Sequence, residues 1–216
     1  MFFKSEMEKR KAKSIAVLKK HNVPYIEHLP CIESDKETTL RTKEEVSERA
    51  ICLSLVAAFA EGLEKSVVLQ KAKEFAVENA FSAEESSFFE MKEIDDLTRA
   101  KFLWRYESLW VMLWALSYVE SLSFPTGICD VPFAVKTIVE RGREKFLSDA
   151  KLRSKAEILD EADLIYRLDW ATTEARIHGE QMPANLDKDT VFERHYALNW
   201  LIGFGGDNWD DVETNT

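Results

Sequence analysis

The stretch Leu103–Val119, LWRYESLWVMLWALSYV, constrains the fold more than any other part of the chain. It holds three of the six tryptophans (Trp104, Trp110, Trp114), and apart from two tyrosines its polar side chains are Arg105, Glu107, Ser108 and Ser117. Tyr106, Trp110, Trp114 and Tyr118 fall four apart and form an aromatic stripe on one side of a helix. Leu109, Met112, Leu113 and Leu116 cover most of the remainder. A helix that is apolar nearly all round has no face to offer water. The spacing therefore predicts a long helix over 97–121 in the middle of a bundle.

The rest of the chain is punctuated as helices. Five places carry a Ser or Thr followed three residues later by Glu: Ser5/Glu8, Thr42/Glu45, Ser82/Glu85, Ser154/Glu157 and Thr190/Glu193. In each the hydroxyl can accept from a free N–H of the first turn while the carboxylate reaches back to the cap. Gly62, Gly142, Gly179 and Gly203 follow periodic segments, where a residue without Cβ can turn left-handed and stop a helix. The expected helices are 6–21, 43–61, 64–79, 83–91, 97–121, 131–141, 155–178 and 190–202. No run alternates β-branched residues as a strand does. The fold class is thus all-α, a single-domain multi-helix bundle over 1–216. The segment 22–40 is long for a connection, and Tyr25, Ile26, Leu29, Ile32 and two prolines make it an extended strap laid over the helices. Within it Glu33–Glu37 reads as the more mobile half.

Composition excludes several functions. A net charge of −10 speaks against neutralising phosphates, so no nucleic acid is expected. Residues 1–22 hold seven Lys/Arg against two Glu and read as a basic, solvated helix face. The longest apolar run falls far short of the roughly 20 residues a membrane span needs, and the start is no secretory signal. Cys31, Cys52 and Cys129 have neither disulfide nor zinc spacing, which suits a reducing cytoplasm. No cofactor and no metal site is expected, since His21, His28 and His178 stand at no ligand spacing from His195.

A few polar residues sit where apolar ones belong. His195 and Asn199, one turn apart, project from the apolar face of the last helix and must be hydrogen-bonded or open onto a cavity. Asp160, Asp163, Arg167, Trp170 and Glu174 form one row of helix 155–178, either a salt-laced solvent face or an acidic wall of a cleft. Glu107 lies among tryptophans and needs a cation, with Arg49, Arg153 or Arg194 as partners. In the tail, Asp207, Asp210, Asp211 and Glu213 surround Trp209. Their spacing is not that of a calcium loop, and Trp209 is expected to anchor the tail while the acids stay wet.

The blocks LPCIESDKETTLRTKEEVSERAICL (29–53), WRYESLWVMLWALS (104–117), LRSKAEILDEADLIYRLDWATTEA (152–175) and ERHYALNWLIGFGGDNWDDVETNT (193–216) resemble those of the bacterial domain of unknown function 4272 family. The resemblance runs in order along nearly the whole chain and implies one domain. It carries no catalytic assignment. The polar positions matching its pattern are Arg41, Arg49, Glu107, Arg153, Asp163, Trp170, Arg194, His195, Asn199, Trp209 and Asp210.

Two functions remain. The first is a binding or regulatory protein, of the immunity type for example, whose acidic surface suits a protein partner with a basic surface. The second is a hydrolase-like small-molecule enzyme joining His195 as general base with Asn199, Asp163, Arg167 and Glu107 in one pocket, where Arg167 or Arg194 holds an anionic group. An enzyme needs those side chains to converge on a solvent-reachable concavity, whereas a structural network needs them paired and sealed.

Overall fold

The computed structural model describes residues 5–206 and 208–216. The fold is all-α, with helices α1 (Glu6–Lys20), α2 (Lys43–Glu61), α3 (Lys65–Glu74), α4 (Ala83–Glu90), α5 (Asp96–Leu103), α6 (Arg105–Ala115), α7 (Val131–Val139), α8 (Gly142–Asp149), α9 (Lys155–His178) and α10 (Lys188–Leu201). No strand occurs among the described residues, and none of their helices is long and apolar enough to cross a membrane. One contiguous cluster of buried apolar side chains draws on all ten helices. The most extensive packing is α9 on α10 and α2 on α6, followed by α1 on α9 and α6 on α10.

Local chemistry explains the boundaries. Ser5, Thr42, Ser82 and Ser154 form complete capping boxes with Glu8, Glu45, Glu85 and Glu157. The fifth box does not form. Asp187 caps α10 instead, accepting from the backbone N–H groups of Asp189 and Thr190, and leaves Thr190 and Glu193 buried inside the helix. Gly62 and Gly179 end α2 and α9 in the left-handed region. Gly142, at φ +62, stops nothing for long, because the chain turns there and resumes at once as α8.

The tryptophan-rich segment departs most from expectation. It breaks at Trp104 into α5 and α6, and α6 ends at Ala115 rather than running on to 121. Ser117 adopts φ +64, and the N–H groups of Ser117 and Tyr118 turn back to the carbonyls of Trp114 and Leu113. A left-handed residue there terminates the helix as glycine usually does. The Ser117 hydroxyl helps fix the turn by donating to the Lys151 carbonyl. Leu109, Val111, Met112, Leu113 and Ala115 are the fully buried apolar side chains of α6, while Trp104 and Trp110 are half-exposed. The aliphatic face lies deepest in the core, joined by Tyr106 and Trp114 of the aromatic stripe, while Trp110 and Tyr118 pack against its edge. α2 is buried along most of its length as well.

Residues 22–40 lie as an extended strap without helix or strand. Its carbonyls are held by long cationic side chains: Lys11 Nζ donates to Glu27 and Leu29, Arg167 Nη2 to Pro30, and Lys155 Nζ to Asp35 and Thr38. Arg10 meets the Asp35 carboxylate at 2.7 Å, so the acidic half of the strap is tied down too.

Candidate functional site

The candidate polar residues are distributed over separate pairs. Asp163 and Arg167, one turn apart on α9, form a bidentate ion pair (2.9 Å from Nε, 2.8 Å from Nη2), with both side chains at most 1% exposed. Glu107 takes Arg194 as its cation, Nε to Oε2 3.1 Å, and its other oxygen accepts from the Cys129 backbone N–H. Arg49 pairs with Glu85 at 2.5 Å. Arg105 and the Ser108 hydroxyl share the Glu193 carboxylate. Burying one member of such a pair alone would cost several kcal/mol, about 3–5.

Arg153 serves α6. Its Nε donates to the Trp114 carbonyl and its Nη2 to those of Val119 and Glu120, which places a cation on the negative end of the helix. Trp170 packs half-buried against the core. The five residues of the proposed hydrolase pocket do not meet in one concavity.

His195 belongs to its own chain of contacts. Nδ1 lies 2.9 Å from Asp169 Oδ2, and Nε2 lies 3.1 Å from Asn199 Nδ2, which also donates to the Glu213 carbonyl at 2.8 Å. Because that amide nitrogen is a donor, Nε2 accepts and Nδ1–H donates to Asp169. His195 and Asn199 line a cavity of about 170 Å³ together with Cys31, Tyr166 and Asn215. Cys31 is half-exposed, in contrast to Cys52, whose thiol burial pushes up to about 12. Cys129 is likewise pushed up, by burial and then by the Glu107 carboxylate.

Four of the family-pattern positions do converge. Arg41, Arg49, Trp209 and Asp210 line a cleft of about 580 Å³ between the start of α2, the start of α4 and the C-terminal tail. Trp209 is 4% exposed, packed edge-to-face on Tyr196 and Trp200. The Tyr196 hydroxyl donates to its carbonyl, and burial pushes that phenol up to about 12. The guanidinium of Arg49 lies 4.9 Å from the Trp209 ring centre, that of Arg105 5.4 Å, and that of Arg41 lies 5.0 Å above Trp200. Asp210 accepts from the Glu84 N–H and so supports the start of α4. Glu45, Glu48 and Asp211 stand exposed on the rim, whereas Asp207 lies outside the described residues. Beneath them Arg49 Nε and Trp209 Nε1 are buried donors with no hydrogen-bond partner among the described residues, and Glu85 Oε1 is an acceptor in the same condition.

Several members of these arrangements carry no sequence signal. Asp169 lies on a different side of α9 from the row of Asp160, Asp163, Arg167, Trp170 and Glu174, and the spacing of Glu193 after Thr190 points to a capping box instead. Cys31 carries no signal because the three cysteines stand at no short spacing from one another. The acceptor in Glu85 was legible only as a cap, a role it also fills. Among the described residues, no three His, Cys, Asp or Glu side chains are grouped so as to hold a metal ion.

Fold and site together define an all-α protein whose buried charges are matched to one another around a shared core. The chain belongs to the family described as Domain of unknown function (DUF4272), whose model matches residues 10–212. No curated protein and no solved structure matches it.

Proposed function

We propose that the chain is a single-domain cytoplasmic binding protein which takes a basic peptide segment of a protein partner into the cleft of Arg41, Arg49, Trp200 and Trp209. The observation that carries this reading is the layering of the cleft. Its floor holds donors without acceptors, Arg49 Nε and Trp209 Nε1, while its rim holds the acids Glu45, Glu48 and Asp211. A peptide supplies both complements, backbone carbonyls for the floor and Lys or Arg side chains for the rim. The positive charge of Arg49 is neutralised below by Glu85 and that of Arg41 faces Glu45 at 3.9 Å, which leaves Glu48 and Asp211 as the acids that meet a basic ligand. A regulatory or immunity-type role takes this form.

The test is calorimetric titration with a synthetic Lys/Arg-rich decapeptide and with the same peptide carrying Glu at the basic positions. The basic peptide binds, and Glu48→Lys with Asp211→Lys weakens it about ten-fold or more. The control pair Glu93→Lys with Asp96→Lys, equal in charge but away from the cleft lining, leaves binding nearly unchanged. Equal losses in both double variants would reduce the effect to net charge and remove the proposal.

The hydrolase-like reading draws its support from one place, the cavity where His195, already oriented by Asp169, lies beside Cys31. Binding is favoured over it because the acceptor nitrogen of His195 is already filled by Asn199.

A further inference from the structure

A second cavity, sharing no lining residue with the cleft, lies where α1, α9, α10 and the connection from α6 to α7 meet. It holds about 200 Å³ and is walled by Val17, Leu122, Leu164, Ile165, Leu168 and Leu198. His21 and Phe124 also line it and stack on each other, ring centres 4.0 Å apart at 10°. Two charged side chains join these walls. Arg194 is 2% exposed; its Nε is held by Glu107 and its Nη1 by the Ser123 carbonyl, while Nη2 has no hydrogen-bond partner among the described residues. Glu161, half-buried, has no ion-pair or hydrogen-bond partner among them.

We propose that this cavity binds a small apolar α-amino acid, with its carboxylate on Arg194, its ammonium group on Glu161 and its side chain against the aliphatic wall. The head group has to accept at one end and donate at the other. A plain carboxylate would place a second anion beside Glu161, and an alkylamine would leave Arg194 unmet. A zwitterion satisfies both and adds no net charge. Size agrees as well, since a cavity of roughly 150 Å³ lined by aliphatic side chains holds benzene, so this one suits a molecule of leucine's bulk.

The surroundings keep Glu161 available. Burial pushes its carboxyl up to about 6, opposed by Arg194 and Arg153 and aided by Asp160. Asp160 is itself held by Arg10 and Lys13, and Arg153 by Glu157, so neither is free to close on Glu161. His21 is the remaining titratable group on the lining.

The experiment is calorimetric titration of the full chain at pH 7.5 with L-leucine, 4-methylpentanoate and isoamylamine. Leucine binds, and each analogue lacking one charged group binds about ten-fold more weakly or worse. Arg194 also holds Glu107, so its removal risks the fold. Glu161→Gln and the cavity-filling Leu164→Trp therefore carry the test, each checked for an unchanged helical circular dichroism spectrum. Both lower leucine affinity about ten-fold or more. No leucine binding at about 10 mM, binding untouched by both variants, or 4-methylpentanoate binding as well as leucine would each overturn the proposal.

Discussion

His195 and Asp169 are far apart in the chain but 2.9 Å apart in space, Nδ1 to Oδ2, on the adjoining helices α10 and α9. The same imidazole accepts from Asn199, whose amide also holds the tail at Glu213. One ring thus links two helices and the last residues of the chain. His195→Ala strands the Asp169 carboxylate, itself only 5% exposed. The cost is about 1–3 kcal/mol, and for a chain of this size about 2–4 °C of Tm per kcal/mol. A thermal melt within 1 °C of wild type would remove the structural role.

Arg49 and Glu85 join α2 to α4 at 6% and 1% exposure. Glu85→Ala leaves a buried guanidinium unpaired and is expected to cost about 3–5 kcal/mol. Replacing both, Arg49→Met with Glu85→Leu, recovers most of that loss, because burial of two charges largely cancels their attraction. Urea denaturation of the two single variants and the double variant measures the coupling. A double variant no better than the sum of the singles contradicts this account.

Glu161 sets a pH dependence of definite sign. Its folded-state pKa, about 6, lies above the ordinary glutamate value of about 4.5, so the native state holds this proton more tightly than the unfolded chain. The group contributes stability at low pH that is lost as pH rises from about 4.5 through 6, on the order of 1–2 kcal/mol. Glu161→Gln removes this dependence. Its stability relative to wild type should therefore increase across that window and level off above it. Chemical denaturation at four pH values checks this, and a constant difference would refute it.

The three thiols are predicted to behave unequally. Cys31 is half-exposed, Cys52 is fully buried, and Cys129 lies against the Glu107 carboxylate. An aromatic disulfide reagent should label Cys31 first, with Cys52 following only on unfolding. A labelling rate at Cys31 that falls sharply in His195→Gln would instead reveal an activated nucleophile and favour the hydrolase-like reading.

The start of α10 offers a sharp contrast. Asp187→Ala removes the true cap and should cost about 1 kcal/mol. Thr190→Val, of equal shape, removes only the hydroxyl that the capping-box spacing had singled out and should cost less. Thermal melts rank the two, and the reverse order would restore Thr190 as the cap.

The fold was legible where chemistry is local. Ser154 with Glu157 and Gly179 bound α9 at its observed limits, because caps and stops act within a few residues. Tertiary override explains the failures. Ser117 takes a left-handed turn that no local signal announces, and it is held by the Lys151 carbonyl from a distant segment. Thr190 had the correct spacing but lost the cap to Asp187 three residues earlier. At the site, the sequence marked Arg41, Arg49, Trp209 and Asp210 without relation to one another, and only the path of the tail brings them to one cleft. Glu107 announced its need for a cation by its apolar neighbours, but the choice of Arg194 over Arg49 and Arg153 is set by helix packing.

α1 finds its main docking surface on α9, and the strap that follows it is fastened by Arg167 and Lys155 of that same late helix. During synthesis the first helix therefore waits for well over a hundred further residues before its apolar stripe is covered. At about 5–20 residues per second that interval is roughly seven to thirty seconds. A nascent chain in this condition presents a positively charged amphipathic segment at the ribosome exit, a natural client for whatever shields growing polypeptides until translation ends.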